Sequence, residues 1–272
     1  MFTHRKWEDI CKKISSHRDA ITINKILDQS DGDSWISVKH DVETNVKKAL
    51  QIAKIEAAYN IKATYYVQAD LIDDNYPLLQ KIAALGHEVT YHYDVLDSSG
   101  GDFEKAIEVF NKNIKKFKRY GFEIQTVCPH GNPVMIRKGW SSNKDFFRNK
   151  KVVNMFPDIL DVVVQLPDLI KEKYIYISDA GYNWKEIVNI QDNDLINNGD
   201  IIIKDQSHLL GIIKKNMNLI ISTHPHRWES NRIKCYINIV RFKSLKIVVL
   251  ILSRLPMLKK IISKYYYLAK KI

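Results

Sequence analysis

Cysteine is scarce in this chain. Cys11, Cys128 and Cys235 are the only three, widely spaced and odd in number. No disulfide framework and no cysteine-type zinc site can be built from them, which points to a reducing compartment. Long apolar runs are missing too. The longest, 247–252, is far too short to span a bilayer, and the charged opening segment has no apolar stretch of the kind a secretory signal needs. No linker rich in Pro, Gly or Ser interrupts the 272 residues, and no internal repeat is visible. A hydrophobic content of 45% with 14 Tyr, 9 Phe and 5 Trp excludes disordered, collagen-like and low-complexity classes.

Acidic side chains are the third absence, and a local one. Residues 230–272 hold eleven Lys or Arg and no Asp or Glu, while the first 229 hold 31 basic and 31 acidic residues. The net charge of +11 therefore sits entirely in the tail. A neutral body with a basic appendage suggests one localised electrostatic contact. Within the appendage, 233–252 and 255–268 mix Ile, Leu, Val and Tyr with Lys and Arg at helical spacing, broken near Pro256. Two readings stand: a helix pair packed on the body with a solvated basic face, or a basic amphipathic segment lying on an anionic membrane surface. No nucleic-acid-binding module is recognisable, so no nucleic-acid partner is expected.

The body alternates short β-branched runs with longer amphipathic ones. Strands are predicted at 34–39, 63–67, 88–92 and 124–128, separated by helices at 45–59, 76–85 (Pro77 in its first turn) and 103–120. Beyond Gly131 the pattern loosens into strands at 174–177, 201–204 and 219–222, with a helix over 208–215. Successive strand–helix units imply parallel strands joined by right-handed crossovers. A (β/α) barrel with an irregular second half, or an open α/β sheet, accommodates them. The predicted organisation is one α/β domain over 1–228 and a basic, helical tail over 229–272.

Chemistry-bearing residues gather where strands end. His40, Asp41 and Glu43 close the first strand, His92 the third, and His130 follows the fourth; Asp179 follows 174–177, and His224 and His226 follow 219–222. In parallel α/β folds the C-terminal strand ends share one rim, where ligands collect. Imidazoles with carboxylates and no thiolate suit a borderline divalent ion such as Zn²⁺. Such an ion acidifies bound water, a carboxylate can act as base and a separate histidine as acid. The reaction class is metal-assisted hydrolysis.

The segments VKHDVE, GHEVTYHYDVL, CPHGNP, SDAGYNW and IISTHPHRW, in this order and spacing, resemble the polysaccharide deacetylase family (carbohydrate esterase family 4, the NodB homology domain) over residues 34–228. The resemblance implies a distorted (β/α) barrel holding a divalent metal, usually zinc, and hydrolysing acetyl groups from glycans. It implies a base and a metal ligand in the first segment: either Asp41 is the base and Glu43 the ligand, or Asp41 is the ligand and His40 stands at the base position. His92 matches the first of two metal histidines. The second position is Leu96, so His130 becomes the candidate third ligand, in a segment that also donates a backbone N–H to the oxyanion. Asp179 corresponds to the aspartate that orients the catalytic histidine, and His224 to that histidine.

Duller roles weigh against some neighbours. His87 suits a capping or supporting role, Asp94 a loop hydrogen bond, and His226 and Trp228 either barrel-mouth packing or sugar contact. Cys128 reads as a small apolar side chain, and His4, His17 and His208 as solvated. The expected function is removal of an acetyl or similar acyl group from a sugar of a surface polysaccharide or its precursor, a glycan or sugar-lipid, in the cytoplasm or on the inner face of the membrane. The alternatives are a catalytically silent carbohydrate-binding protein on the same fold and a deformylase or amidohydrolase acting on another small N-acyl substrate.

Overall fold

The computed structural model of the chain describes residues 1–252 apart from 31, 33, 133, 134, 171 and 193–198, with side chains as far as 248. The chain opens with α1 (His4–Ser15), β1 (Ala20–Ile21), β2 (Ile36–Val42) and α2 (Val46–Ala58). Next come β3 (Ala63–Val67), α3 (Ile72–Ala84), β4 (Glu88–Tyr93), the short α4 (Val95–Ser98), α5 (Phe103–Arg119) and β5 (Thr126–Pro129). A looser stretch carries α6 (Asp145–Arg148), α7 (Lys150–Met155), β6 (Leu160–Asp161), α8 (Leu166–Leu169), β7 (Tyr174–Ser178), β8 (Lys185–Glu186) and β9 (Ile201–Ile202). It closes with α9 (Gln206–Ile213), β10 (Asn218–Thr223) and α10 (Arg232–Leu252).

The strands form one sheet in the order β6-β5-β4-β3-β2-β10-β7-β8-β9, with β1 beside the start of β2. All pairings from β6 through β7 are parallel; β8 runs antiparallel to both β7 and β9. The sheet curls until both ends meet the same interior. Tyr66 of β3, Cys128 of β5, Val162 and Leu166 after β6, Tyr176 of β7 and Ile220 of β10 form one buried cluster. Side chains span the gap between the ends: Gln191 Nε2 donates to Val164 O at 2.9 Å and Lys144 Nζ to Ile190 O at 2.7 Å. This is the distorted barrel that the motifs imply.

The helices form where expected because their caps and stripes agree. Asp102 caps α5 through the Lys105 N–H, and Gly121 leaves it at a φ of 80° that a side chain would resist. Ala106, Ile107, Phe110 and Phe117 bury one face of α5 against the barrel. Three details differ from the sequence reading. Pro77 lies inside α3 rather than in its first turn, because the helix starts at Ile72 and forgoes one hydrogen bond. The opening segment, read only for its charge, is the helix α1, with Trp7, Ile10, Cys11 and Ile14 buried. His4 on that helix is half-buried with Nε2 enclosed, not solvated.

Strand parity places the site. Every residue of β2 is buried, but alternate side chains face different layers. Lys39 and Asp41 point into the barrel. His40 points outward, between α1 and α2, and stacks on Tyr65 with ring centroids 4.4 Å apart. Its Nε2 lies 2.6 Å from Glu56 Oε1 and its Nδ1 2.6 Å from Thr223 Oγ1. Glu56 also accepts from Trp7 Nε1 at 3.1 Å and from the Tyr65 hydroxyl at 2.6 Å. His40 is thus part of a buried polar network behind the barrel wall, and cannot stand in for a base.

Candidate metal centre and catalytic rim

Glu43 lies just past β2, His92 on β4, and His130 just past β5. Their ligand atoms all fall within 4.8 Å of one another. Glu43 Oε1 is 3.3 Å from His130 Nε2 and 3.9 Å from His92 Nε2. His92 Nδ1 lies 3.0 Å from the carbonyl oxygen of Cys128, across the β4–β5 register that pairs these two residues. A carbonyl only accepts, so Nδ1 carries the proton and Nε2 presents its lone pair. That Nε2 is buried and has no hydrogen-bond partner. A buried lone pair facing a carboxylate oxygen is repelled unless a cation or a proton stands between them. The donor set therefore fits a metal, with the Cys128 carbonyl as the outer group that orients the His92 ring.

A second cluster, Asp41, His92 and Cys128, also falls within 4.8 Å, but its electrostatics differ. Lys39 Nζ lies 2.6 Å from Asp41 Oδ1 and 3.2 Å from Cys128 Sγ. Burial by itself would strip the lysine of its proton. The Asp41 carboxylate outweighs it and holds the ammonium well above its usual range. Burial, then the Asp41 charge, pushes the Cys128 thiol up, so it is no thiolate. An ammonium already occupies the place a cation would take, which leaves Asp41 a poorer ligand than Glu43. Burial would also raise the Asp41 carboxyl, but Lys39 first, then His92 and His224, hold it far below the ordinary carboxylate range. Its Oδ2 lies 4.0 Å from His224 Nε2.

His224 follows β10, and Asp179 follows the neighbouring β7. The parallel pairing of Ser222 with Ser178 brings them side by side. His224 Nδ1 lies 2.6 Å from Asp179 Oδ1, and the His224 backbone N–H donates to Asp179 Oδ2 at 3.1 Å. Trp228 Nε1 donates to Oδ2 at 3.1 Å and Arg227 to Oδ1 at 3.0 Å. Asp179 is fully buried; burial would raise its pKa, but His224 and Arg227 lower it on balance. This arrangement fixes the His224 ring with Nε2 turned toward Asp41.

The structure thus brings Asp41, Glu43, His92, His130, Asp179 and His224 to one rim, and leaves other residues outside it. Leu96 is completely buried in the outer core and offers the site nothing. The His130 N–H donates to Tyr93 O at 2.7 Å, so it is not the oxyanion donor the third segment was expected to supply. His87 accepts from the Ala63 N–H and donates to Ala53 O, a structural bridge between strand and helix. Trp228 is buried, packed against Trp7 and Phe2. Sequence reasoning missed Lys39 and Arg227. Lys39 carried a signal, since it shares strand parity with Asp41.

His226 packs edge-on against His224 with ring centroids 5.9 Å apart. Burial first, then Arg227, pushes its pKa down to about 3 from 6.5. A histidine depressed in the folded state stabilises the protein fully above its unfolded pKa, and that contribution fades as pH falls from 6.5 toward 3. His226→Asn is expected to flatten the decline of Tm between pH 6.5 and pH 4. A melting series with the wild-type slope would show that His226 does not drive this decline.

No protein-family profile matches the chain, and no curated protein matches it. Several solved structures are similar. A family 4 carbohydrate esterase pseudoenzyme from Bacillus anthracis is 11% identical with a TM-score of 0.46, over 79% of this chain and 63% of that one. A family 4 carbohydrate esterase from Streptomyces lividans in complex with acetate is 11% identical with a TM-score of 0.44, over 78% and 89%. The catalytic domain of a peptidoglycan N-acetylglucosamine deacetylase from Eubacterium rectale is 14% identical with a TM-score of 0.42, over 85% and 90%. The chain spans less than two thirds of the pseudoenzyme's length.

Proposed function

We propose that the chain is a metal-dependent hydrolase that removes an acetyl or similarly small acyl group from a sugar of a surface polysaccharide or of its glycan or sugar-lipid precursor. The observation that carries this reading is the bare, buried Nε2 of His92 opposite Glu43 and His130, on the rim that holds Asp41 and His224. Glu43, His92 and His130 would hold the ion, and two imidazoles with one carboxylate suit zinc. When bound, such an ion polarises a carbonyl oxygen and acidifies water.

The remaining work falls to the chain's own side chains. Asp41 is an ionised carboxylate, and with Oδ1 committed to Lys39 it accepts the proton of the attacking water at Oδ2. His224, held by Asp179, delivers a proton from Nε2 to the leaving amine or alcohol. A cleft of about 1220 Å³ opens beside His130, with Asp70, Asp94, Lys112, Asn113 and Asn132 among its lining. Closely spaced donors and acceptors of this kind suit a polyhydroxylated ligand.

The test is acyl release from a panel of acetylated and formylated oligosaccharides by the zinc-loaded protein. Asp41→Asn and His224→Ala are each expected to slow acetate release about 10²- to 10⁴-fold while zinc stays bound. Full zinc content with no acyl release from any substrate would sink the hydrolase. One observation favours a second reading, a silent carbohydrate-binding protein: the Lys39–Asp41 ion pair ties up half of the base. Its signature is calorimetric binding of the same glycans without hydrolysis. Formate release in preference to acetate would instead mark a deformylase.

A further inference from the structure

We propose that the outer face of α10 is a docking surface that seats the protein on an anionic lipid leaflet. The helix spans Arg232–Leu252 and has two apolar sides. One side belongs to the body. Cys235 is fully buried and accepts from the Phe2 N–H, Ile239 packs on the core, and the Phe242 ring meets Tyr182 edge-on at 5.2 Å. At 100° per residue, Ile233, Tyr236, Ile237, Val240, Ile247 and Val248 fall on the opposite side. All six are exposed, Ile233 to 69% and Ile247 to 57%.

Cations border this outer stripe on both flanks. Arg232 and Lys243 lie along one edge, Lys234 and Arg241 along the other, and no acidic residue occurs from 230 to 272. The charge pattern selects the occupant. A second copy of this chain laid face to face would set like charges against each other along both edges. A leaflet with anionic headgroups complements both edges and takes up the apolar stripe between them. Among the described residues no helix is long and apolar enough to cross a membrane, so α10 lies along the surface. Because Tyr182 follows Asp179 on the rim, docking α10 holds the rim beside the leaflet.

The experiment uses the full chain and vesicles of phosphatidylcholine with or without 30% phosphatidylserine. Wild-type protein is expected to sediment with the serine-containing vesicles at least about tenfold more tightly than with neutral ones, and to be released by salt. The exposed double changes Ile237→Asp with Val240→Asp, and Lys234→Glu with Arg241→Glu, should each weaken sedimentation at least about tenfold with an unchanged circular dichroism spectrum. Tyr236→Trp reports independently, by a blue shift of its emission on vesicles. Equal partition of wild type and both variants would overturn the proposal, as would an unshifted tryptophan. So would a wild-type dimer in sedimentation equilibrium that Ile237→Asp with Val240→Asp converts to monomer, which assigns the face to a second copy.

Discussion

Replacing His92 by alanine is expected to empty the metal centre: zinc in the purified protein should fall from near one per chain to below about a tenth, and acyl release with it. His92 is the residue common to both candidate clusters, so two companions decide which of them holds the ion. His130→Ala should behave like His92→Ala, because it removes a ligand from the set with Glu43. Cys128→Ala should leave zinc in place, because burial and the nearby Asp41 charge keep this thiol protonated and Lys39 Nζ lies 3.2 Å from its sulfur. Elemental analysis of the three proteins reads the result directly. Zinc retained by His92→Ala, or lost from Cys128→Ala alone, would place the ion elsewhere.

The second large effect concerns stability. Glu56 sits on α2, wholly buried, and accepts from Trp7 and Tyr65 while bonded to His40. Burial by itself would raise its pKa, but His40 first, then His87 and Tyr65, hold the carboxyl below its ordinary value. Glu56→Ala leaves three buried polar groups without their common acceptor. That change is expected to cost about 3–5 kcal/mol and to lower Tm by on the order of 10 °C. Urea unfolding measures the first and calorimetry the second. Because the folded pKa is depressed, the wild type keeps this contribution above the unfolded pKa and loses it as pH falls through the folded one. The difference between wild type and Glu56→Ala should therefore shrink in acid; a constant difference would mean that the ionised carboxylate is not what matters.

The rim was legible because parallel strands put their C-terminal ends on one side, so position after a strand is enough to nominate Asp41, Glu43, His130, Asp179 and His224. Leu96 was legible as a gap only through the family resemblance, which implies a second metal histidine at that position. The choice between His40 and Asp41 was not, since adjacent residues at a strand end are equally close to a rim on paper. A strand's pleat sends one into the barrel and the other to the helices, and Asp41 takes the inside. Lys39 follows by the same parity, although a lysine is seldom fully buried.

What the sequence determined by itself was the alternation of strands and helices, the neutral body with its basic tail, and the residues able to carry a metal-assisted hydrolysis. These depend on local periodicity and on charge, which are properties of the chain as written. Only the tertiary structure brought His130 within reach of Glu43 and His92, paired Lys39 with Asp41, and left α10 an apolar side turned away from the body. Each of those depends on the distance between residues far apart in the chain, which the curl of the sheet sets and no local pattern encodes.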